Sequence, residues 1–328
     1  MSLLTSYRRF MPYILALYIA GVVAAFIYFN IRLSVEWVAI VLFIAAILSG
    51  RALLFLRDWG VFIVALVAWQ VTEVLAIKFH FPYHLTDLIA ADRILGFGHS
   101  PTIWLQSHLY HRGVVEPWDV FASSMYLMHF VTPLAAGFIL WMVNRVVFRK
   151  FAIAFIVVAL AGFMTYIVFP AVPPWMAGEH LVHAGGVYFK NRHGHVYLPG
   201  VKNLFNLAMG HWYNPGKGTI LFGPLHFGYD KVAAFPSEHA MYPMLFFLFL
   251  RHQFGRIGYL ALAYVGGIIF SIVYLGQHYV VDAIAGIAYA IMGYLVVMYV
   301  APAVARWWAA RRSREPDFGL GLVDAEEA

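Results

Sequence analysis

Residues 276–300 read Gly276-Gln277-His278-Tyr279-Val280-Val281-Asp282, followed by AIAGIAYAIMGYLVVMYV. After Asp282 no charged side chain occurs before Arg306. An uninterrupted apolar run of this length is expected to form a helix that crosses the roughly 30 Å of a bilayer's hydrocarbon core. Inside lipid every backbone polar group must find its partner within the protein, which a helix achieves locally. Strands in a membrane barrel would instead show short alternating segments, and this run is continuous.

Comparable apolar runs lie near residues 12–31, 34–50, 59–77, 120–143, 152–170, 238–250 and 257–275. With the run at 279–300 they predict about eight spans, and therefore an all-α polytopic membrane bundle. Composition agrees: 62% of the chain is hydrophobic and 12% charged, against roughly 25% charged in soluble domains. The first run, Pro12 to Ile31, lacks a convincing small-residue cleavage site and reads as a retained span rather than a signal peptide. The chain has no cysteine, so disulfides and thiolate chemistry are excluded.

The net charge of +6 does not point to nucleic acid. Basic residues gather at span ends, such as Arg145, Arg149 and Lys150, and Arg311, Arg312 and Arg314, where they orient helices and meet anionic headgroups. Connections carrying Arg51 and Arg57, then Arg145 to Lys150, then Arg251 and Arg256, alternate with long or less basic ones. Together with Arg8, Arg9 and the segment Arg306 to Arg314, they place both termini in the cytoplasm. The long polar segments 78–119 and 171–237 then fall outside.

Three features at outer span ends carry candidate chemistry. His278 and Asp282 are four residues apart and share a helix face, so the carboxylate can hold one imidazole nitrogen while the other remains nucleophilic. The bland alternative is a polar pair anchoring a helix end. In Ala234-Phe235-Pro236-Ser237-Glu238-His239, Ser237 is placed to cap a helix whose free first-turn amides could cradle an anion, with His239 beside it as a proton donor. Pro-Ser is also simply how helices begin. In Phe169-Pro170-Ala171-Val172-Pro173-Pro174-Trp175 the prolines end a span, and a rigid turn there would set Trp175 and the following loop over the site.

The order Pro-Pro-Trp, then Pro-Ser-x-His, then Ser271-x6-His278-x3-Asp282 resembles the type-2 phosphatidic acid phosphatase superfamily. Within it, the closest likeness is to the aureobasidin-target inositol phosphorylceramide synthases and their bacterial relatives. A weaker likeness runs through Asp92, Gly96, Pro101, Trp104 and Gln106. The resemblance implies a six-helix core preceded by N-terminal helices: residues 1–58 as N-terminal transmembrane helices, 59–302 as the catalytic membrane domain, and 303–328 as a cytoplasmic tail. It implies an integral plasma-membrane enzyme with an extracytoplasmic site. There a phosphate-linked headgroup, with inositol phosphate the family-based expectation, passes from a phospholipid donor to a lipid hydroxyl.

By the same resemblance His278 is the nucleophile, Asp282 orients it, and His239 protonates the leaving group. Pro236, Ser237, Trp175 and Lys231 would line the substrate. Neither cofactor nor metal is implied. The family's hydrolases carry a Lys and an Arg-Pro in their first motif and an Arg after the third-motif Ser. Here Pro173-Pro174-Trp175 and Ile272 stand in those places, which favours transfer over hydrolysis. Lys190, Arg192, Lys217 and Lys231 remain as candidate phosphate cations.

A lipid phosphate or polyprenyl pyrophosphate phosphatase is the alternative enzyme, and a transporter with a His/Asp proton relay the alternative class. His180, His183, His193 and His195 lie in or near a Gly-rich loop with no clear carboxylate ligand, short of the four ligands of a closed zinc site. Glu73 could pack between helices or line the lipid site.

Overall fold

The computed structural model describes residues 35–63, 81–129, 131–178, 181–184, 187–190, 197–205 and 233–312, with isolated helical residues between 13 and 28. Lys231, Arg192, Lys217, Glu73, His180, His193, His195 and most of the run at 59–77 lie outside the described residues.

After α1 (Val35–Leu48) and a helix over 52–63, the first long loop contains two short helices, α2 (Thr86–Leu95) and α3 (Pro101–Leu109). Then come α4 (Pro117–Met128), α5 (Thr132–Val143) and α6 (Arg145–Val168). The second loop contributes the single turn α7 (Pro174–Ala177) and a two-stranded hairpin, β1 (Leu181–Ala184) with β2 (Val187–Lys190). The remaining helices are α8 (Glu238–Phe254), α9 (Ala261–Tyr274), α10 (Val280–Leu295) and α11 (Ala301–Arg312). The helical expectation is met, with the hairpin as its small exception.

Local chemistry sets the boundaries. Asn144 starts α6 by accepting from the Val146 and Val147 amides at 3.1 and 3.3 Å, satisfying donors that have no partner within the helix. The helix ends at Phe169, ahead of Pro170. Pro101 and Pro117 occupy first helical positions, where no amide hydrogen is needed. α4 and α5 form a pair bent by 57°.

Among the described residues three stretches are long and apolar enough to cross a membrane: Arg145–Val168, Glu238–Tyr274 and Val280–Arg311. The bent pair α4–α5 makes a fourth if read as one broken span. The described residues thus hold up to four candidate spans, and parts of the expected runs at 12–31 and 59–77 lie outside them. The Glu238–Tyr274 stretch is itself folded back. Ala240 packs in one buried cluster with Ile268 and Ile272, residues that a continuous helix would hold more than about 40 Å away. Gly255, at φ +60°, turns the chain between α8 and α9, a conformation glycine adopts without a side-chain clash.

The basic connections meet at one end of the bundle. Asp58 accepts from Arg145 Nε at 2.6 Å, Arg149 Nη2 at 3.3 Å and Trp141 Nε1 at 3.1 Å. Arg51 reaches the Met142 carbonyl at 3.1 Å, and Asn144 donates to Gln253 at 3.2 Å. The core above this end holds Trp59, Trp141, Phe148, Phe151, Phe155 and Phe249, shared with Val38 and Phe55 from the N-terminal helices. Face contacts such as Trp59 on Phe148, with centroids 4.9 Å apart, supply packing that burial from water cannot provide inside lipid. α6 carries the chain about 36 Å from the Asp58 cluster to the opposite end, where the three sequence motifs lie.

Candidate active site

At that opposite end three separate segments pair. The His84 amide donates to the Pro170 carbonyl at 2.9 Å, the Val172 amide to His84 O at 3.0 Å, and the Ala234 amide to Ala171 O at 3.2 Å. The Trp175 amide donates to Gly276 O at 2.9 Å. The proline-rich turn thus fixes both the Ala234 strand and the turn that precedes His278. Gly276 sits at φ +74°, and a Cβ there would stand 2.8 Å from the Lys202 carbonyl, so both conformation and space call for glycine.

His278 is 5% exposed. Its Nδ1 lies 2.8 Å from the Ala234 carbonyl and 3.6 Å from Asp282 Oδ2. A carbonyl only accepts, so Nδ1 carries a proton, and in the neutral ring Nε2 then holds the lone pair. Nε2 in turn lies 3.2 Å from His239 Nδ1. Fully buried, Asp282 Oδ2 accepts the Tyr279 amide at 2.8 Å. Asp282 therefore caps the helix that carries it and stands beside the imidazole, whose tighter partner is the Ala234 carbonyl.

Ser237 occupies the N-cap position of α8 but its side chain makes no capping bond. Its amide donates to the Asp282 carbonyl at 3.0 Å, while Oγ is buried without a hydrogen-bond partner among the described residues. The hydroxyl is thus not committed to the cap that the sequence suggested. Pro236 follows a cis peptide and its carbonyl accepts from Tyr166 Oη at 2.8 Å. α10 approaches Ser237 closely because Gly286 has no side chain: a Cβ there would stand 2.2 Å from the Ser237 carbonyl.

The first loop joins the site from the side. Asp92 of α2 is 1% exposed and accepts from the Val280 amide at 2.7 Å. Burial, reinforced by the charge of Asp282, pushes its carboxyl up to about 6. Gln106 of α3 accepts from the Lys202 amide and donates to the carbonyls of Lys202 and Tyr274, all at 2.9 Å. Asn203 accepts from Gln277 Nε2 at 2.9 Å.

The structure brings together His278, Asp282, His239, Ser237, Pro236 and Trp175. Lys231 lies outside the described residues, as do Arg192 and Lys217, and Lys190 is described only as part of β2. Among the described residues no group of three His, Asp or Glu side chains could hold a metal. Sequence reasoning missed Tyr126 and His129, whose rings stack on His239 at centroid distances of 4.3 and 4.0 Å. The available signal was an ionisable residue within an apolar span.

These features place the molecule in a class defined by two histidines and a carboxylate at adjoining helix ends. The chain matches the PAP2 superfamily over residues 86–296 and belongs to it. It is 30% identical over 186 residues to the phosphoinositol dihydroceramide synthase of Bacteroides thetaiotaomicron, covering 55% of this chain and 56% of that one. It is 29% identical over 172 residues to the inositol phosphorylceramide synthase of Candida albicans, covering 51% of this chain and 33% of the relative. For the inositol phosphorylceramide synthase catalytic subunit of Schizosaccharomyces pombe the identity is 30% over 176 residues, covering 53% and 39%. The matched regions span about half of the bacterial relative and less of the fungal ones. No solved structure matches the chain.

Proposed function

We propose that this protein is a membrane phosphotransferase that moves a phosphate-linked headgroup, inositol phosphate by analogy with its relatives' names, from a phospholipid to a lipid hydroxyl such as that of a ceramide. The observation that carries this reading is the pair of imidazoles 3.2 Å apart, with His278 Nδ1 bound to the Ala234 carbonyl and Nε2 left as a lone-pair donor.

In the first half-reaction Nε2 of His278 attacks phosphorus, the bond from phosphorus to the diacylglycerol oxygen breaks, and His239 gives its proton to that oxygen. The headgroup then stays on His278 as a phosphohistidine. In the second half the acceptor hydroxyl attacks phosphorus, His239 takes its proton, and the N–P bond breaks. Asp282 and the Ala234 carbonyl hold the imidazole in the required tautomer. The uncommitted Ser237 hydroxyl and the first amides of α8 face the phosphoryl oxygens. In-line displacement sets the attacking nitrogen and the leaving oxygen on opposite sides of phosphorus, so the 3.2 Å contact opens as the donor enters. The departures at Pro173–Trp175 and Ile272 favour transfer over hydrolysis.

The bundle completes as about eight spans with both termini cytoplasmic. Clustering of Arg51, Arg57, Arg145 and Arg149 at the end away from the histidines supports an extracytoplasmic site. Purified protein should be incubated with labelled phosphatidylinositol and ceramide, and the products identified by mass spectrometry. Inositol phosphorylceramide formed with diacylglycerol is expected. Rapid release of inorganic phosphate from phosphomonoester lipids, with no transfer to any hydroxyl, would replace this reading with a phosphatase.

A further inference from the structure

His239 does not stand alone in its pocket. Its ring is stacked on Tyr126, 15° from parallel with centroids 4.3 Å apart, and on His129, 29° from parallel and 4.0 Å apart. His129 is 8% exposed and sits where α4 ends, at the 57° bend towards α5. The column continues through it: His129 stacks on Tyr242 at 5.3 Å and 16°, and Tyr242 lies 4.3 Å from Phe155 in the buried core of α6. On the other side Tyr126 meets Phe205 at 4.8 Å. The plane of the His239 ring is therefore referenced, ring by ring, to the rigid centre of the bundle.

That reference has a chemical use. Among the described residues His239 Nε2 is buried without a hydrogen-bond partner, and Nδ1 makes the 3.2 Å contact to His278 and no other hydrogen bond. Hydrogen bonds hold this imidazole weakly, and the reaction in which it serves needs that one bond to break. Stacking restrains a ring against tipping out of its plane while leaving its nitrogens free to exchange partners.

We propose that His129 is a positioning residue of the transfer reaction: with Tyr126 it fixes the ring plane of His239, so that the proton donor keeps its aim when its contact with His278 opens. This rests on the function proposed above. His129 acts through the face of its ring, so phenylalanine can substitute for it and an aliphatic residue cannot. Tyr126 acts in the same way from the preceding turn of the helix.

The test compares His129→Phe, His129→Leu, His129→Ala and Tyr126→Leu with the unaltered protein, each purified in detergent and checked for a monodisperse elution profile. Misplacement of a catalytic group by about 1 Å can reduce rates about 100-fold. kcat should accordingly fall about 10- to 100-fold in His129→Leu and Tyr126→Leu with KM for the donor within about twofold, and His129→Phe should recover most of it. A second readout needs no turnover: diethyl pyrocarbonate modification of His239, followed by peptide mass spectrometry, should speed up in the Leu and Ala variants and stay slow in His129→Phe. If His129→Ala fails to fold, the Phe and Leu pair carries the comparison. Unchanged kcat and unchanged His239 modification in His129→Leu would overturn the inference, as would a His129→Phe variant as impaired as His129→Leu. An inactive unaltered protein whose His239 modification still follows this pattern would sink the proposed function and leave the ring support standing.

Discussion

Asp92 accepts a hydrogen bond from the Val280 amide at 2.7 Å, so a carboxylate from the first loop caps the start of the helix whose own first turn carries Asp282. The Tyr279 amide, one residue earlier, goes to Asp282 Oδ2 at 2.8 Å. Two acids separated by most of the chain thus satisfy adjacent donors at one helix start, a place the helix dipole favours for negative charge.

Burial raises the Asp92 carboxyl from its ordinary 3.8 to about 6. A group whose folded-state value is raised contributes full stability below its unfolded value and loses it as pH rises through the folded one. Ionisation should therefore weaken the fold between about pH 4 and 6, by up to about 3 kcal/mol at 1.36 kcal/mol per unit. Asp92→Asn keeps an acceptor for the Val280 amide and removes the titration. Its unfolding temperature in detergent should match the unaltered protein near pH 4 and exceed it near pH 7; parallel curves across that range would refute the assignment.

Gly286 sets how closely α10 can approach α8. An alanine Cβ would stand 2.2 Å from the Ser237 carbonyl and 3.2 Å from the Met241 amide nitrogen, atoms that cannot yield without moving the helix that carries His239. Gly286→Ala should lower stability by about 1–3 kcal/mol, as overpacking does, and abolish most activity. Gly266→Ala, where no atom lies within 4 Å of the new Cβ, should leave both nearly unchanged. Equal thermal shifts in the two variants would show that the close approach is not limiting.

Ser237 separates a structural role from a binding one. Because its hydroxyl caps nothing, Ser237→Ala should change stability by less than about 0.5 kcal/mol, whereas loss of a true N-cap costs about 1. If the hydroxyl meets the phosphate, KM for the donor should rise about tenfold or more, the scale of a hydrogen bond to a charged group. A destabilised variant with unaltered KM would restore the capping role.

The all-helical class and the family were legible in the sequence because their signals are local: apolar length, prolines at span ends, and histidines at the starts of helices. What joins those pieces was not. The Ala234 carbonyl that holds His278 is a backbone atom and leaves no trace in residue type. Asp92 and Gln106 were visible only as a faint motif, because their partners at Val280 and Lys202 are 188 and 96 residues away. Hydropathy counted the α8–α9 segment as two spans, and the fold-back at Gly255 agrees. The N-terminal spans lie partly outside the described residues. His129 passed unnoticed because one imidazole within a run of apolar residues resembles a packing residue until its neighbour is known.

The absence of cysteine makes the orientation directly testable. A single cysteine introduced at Lys190 should react with an impermeant thiol reagent in intact cells and one at Arg149 should not. The reverse labelling would put the histidines on the cytoplasmic face.

In the proposed mechanism His278 Nε2 becomes covalently bonded to phosphorus. Protein incubated with a phospholipid donor radiolabelled at phosphorus, without acceptor, and quenched in denaturant should carry acid-labile, base-stable label on the peptide containing His278. That label should be lost on adding the lipid hydroxyl acceptor and absent from His278→Ala, and it should form about 10²–10⁴-fold more slowly in His239→Ala. Product formation by the unaltered protein with no labelled His278 peptide under rapid quenching, or transfer that survives in His278→Ala, would contradict the phosphohistidine mechanism.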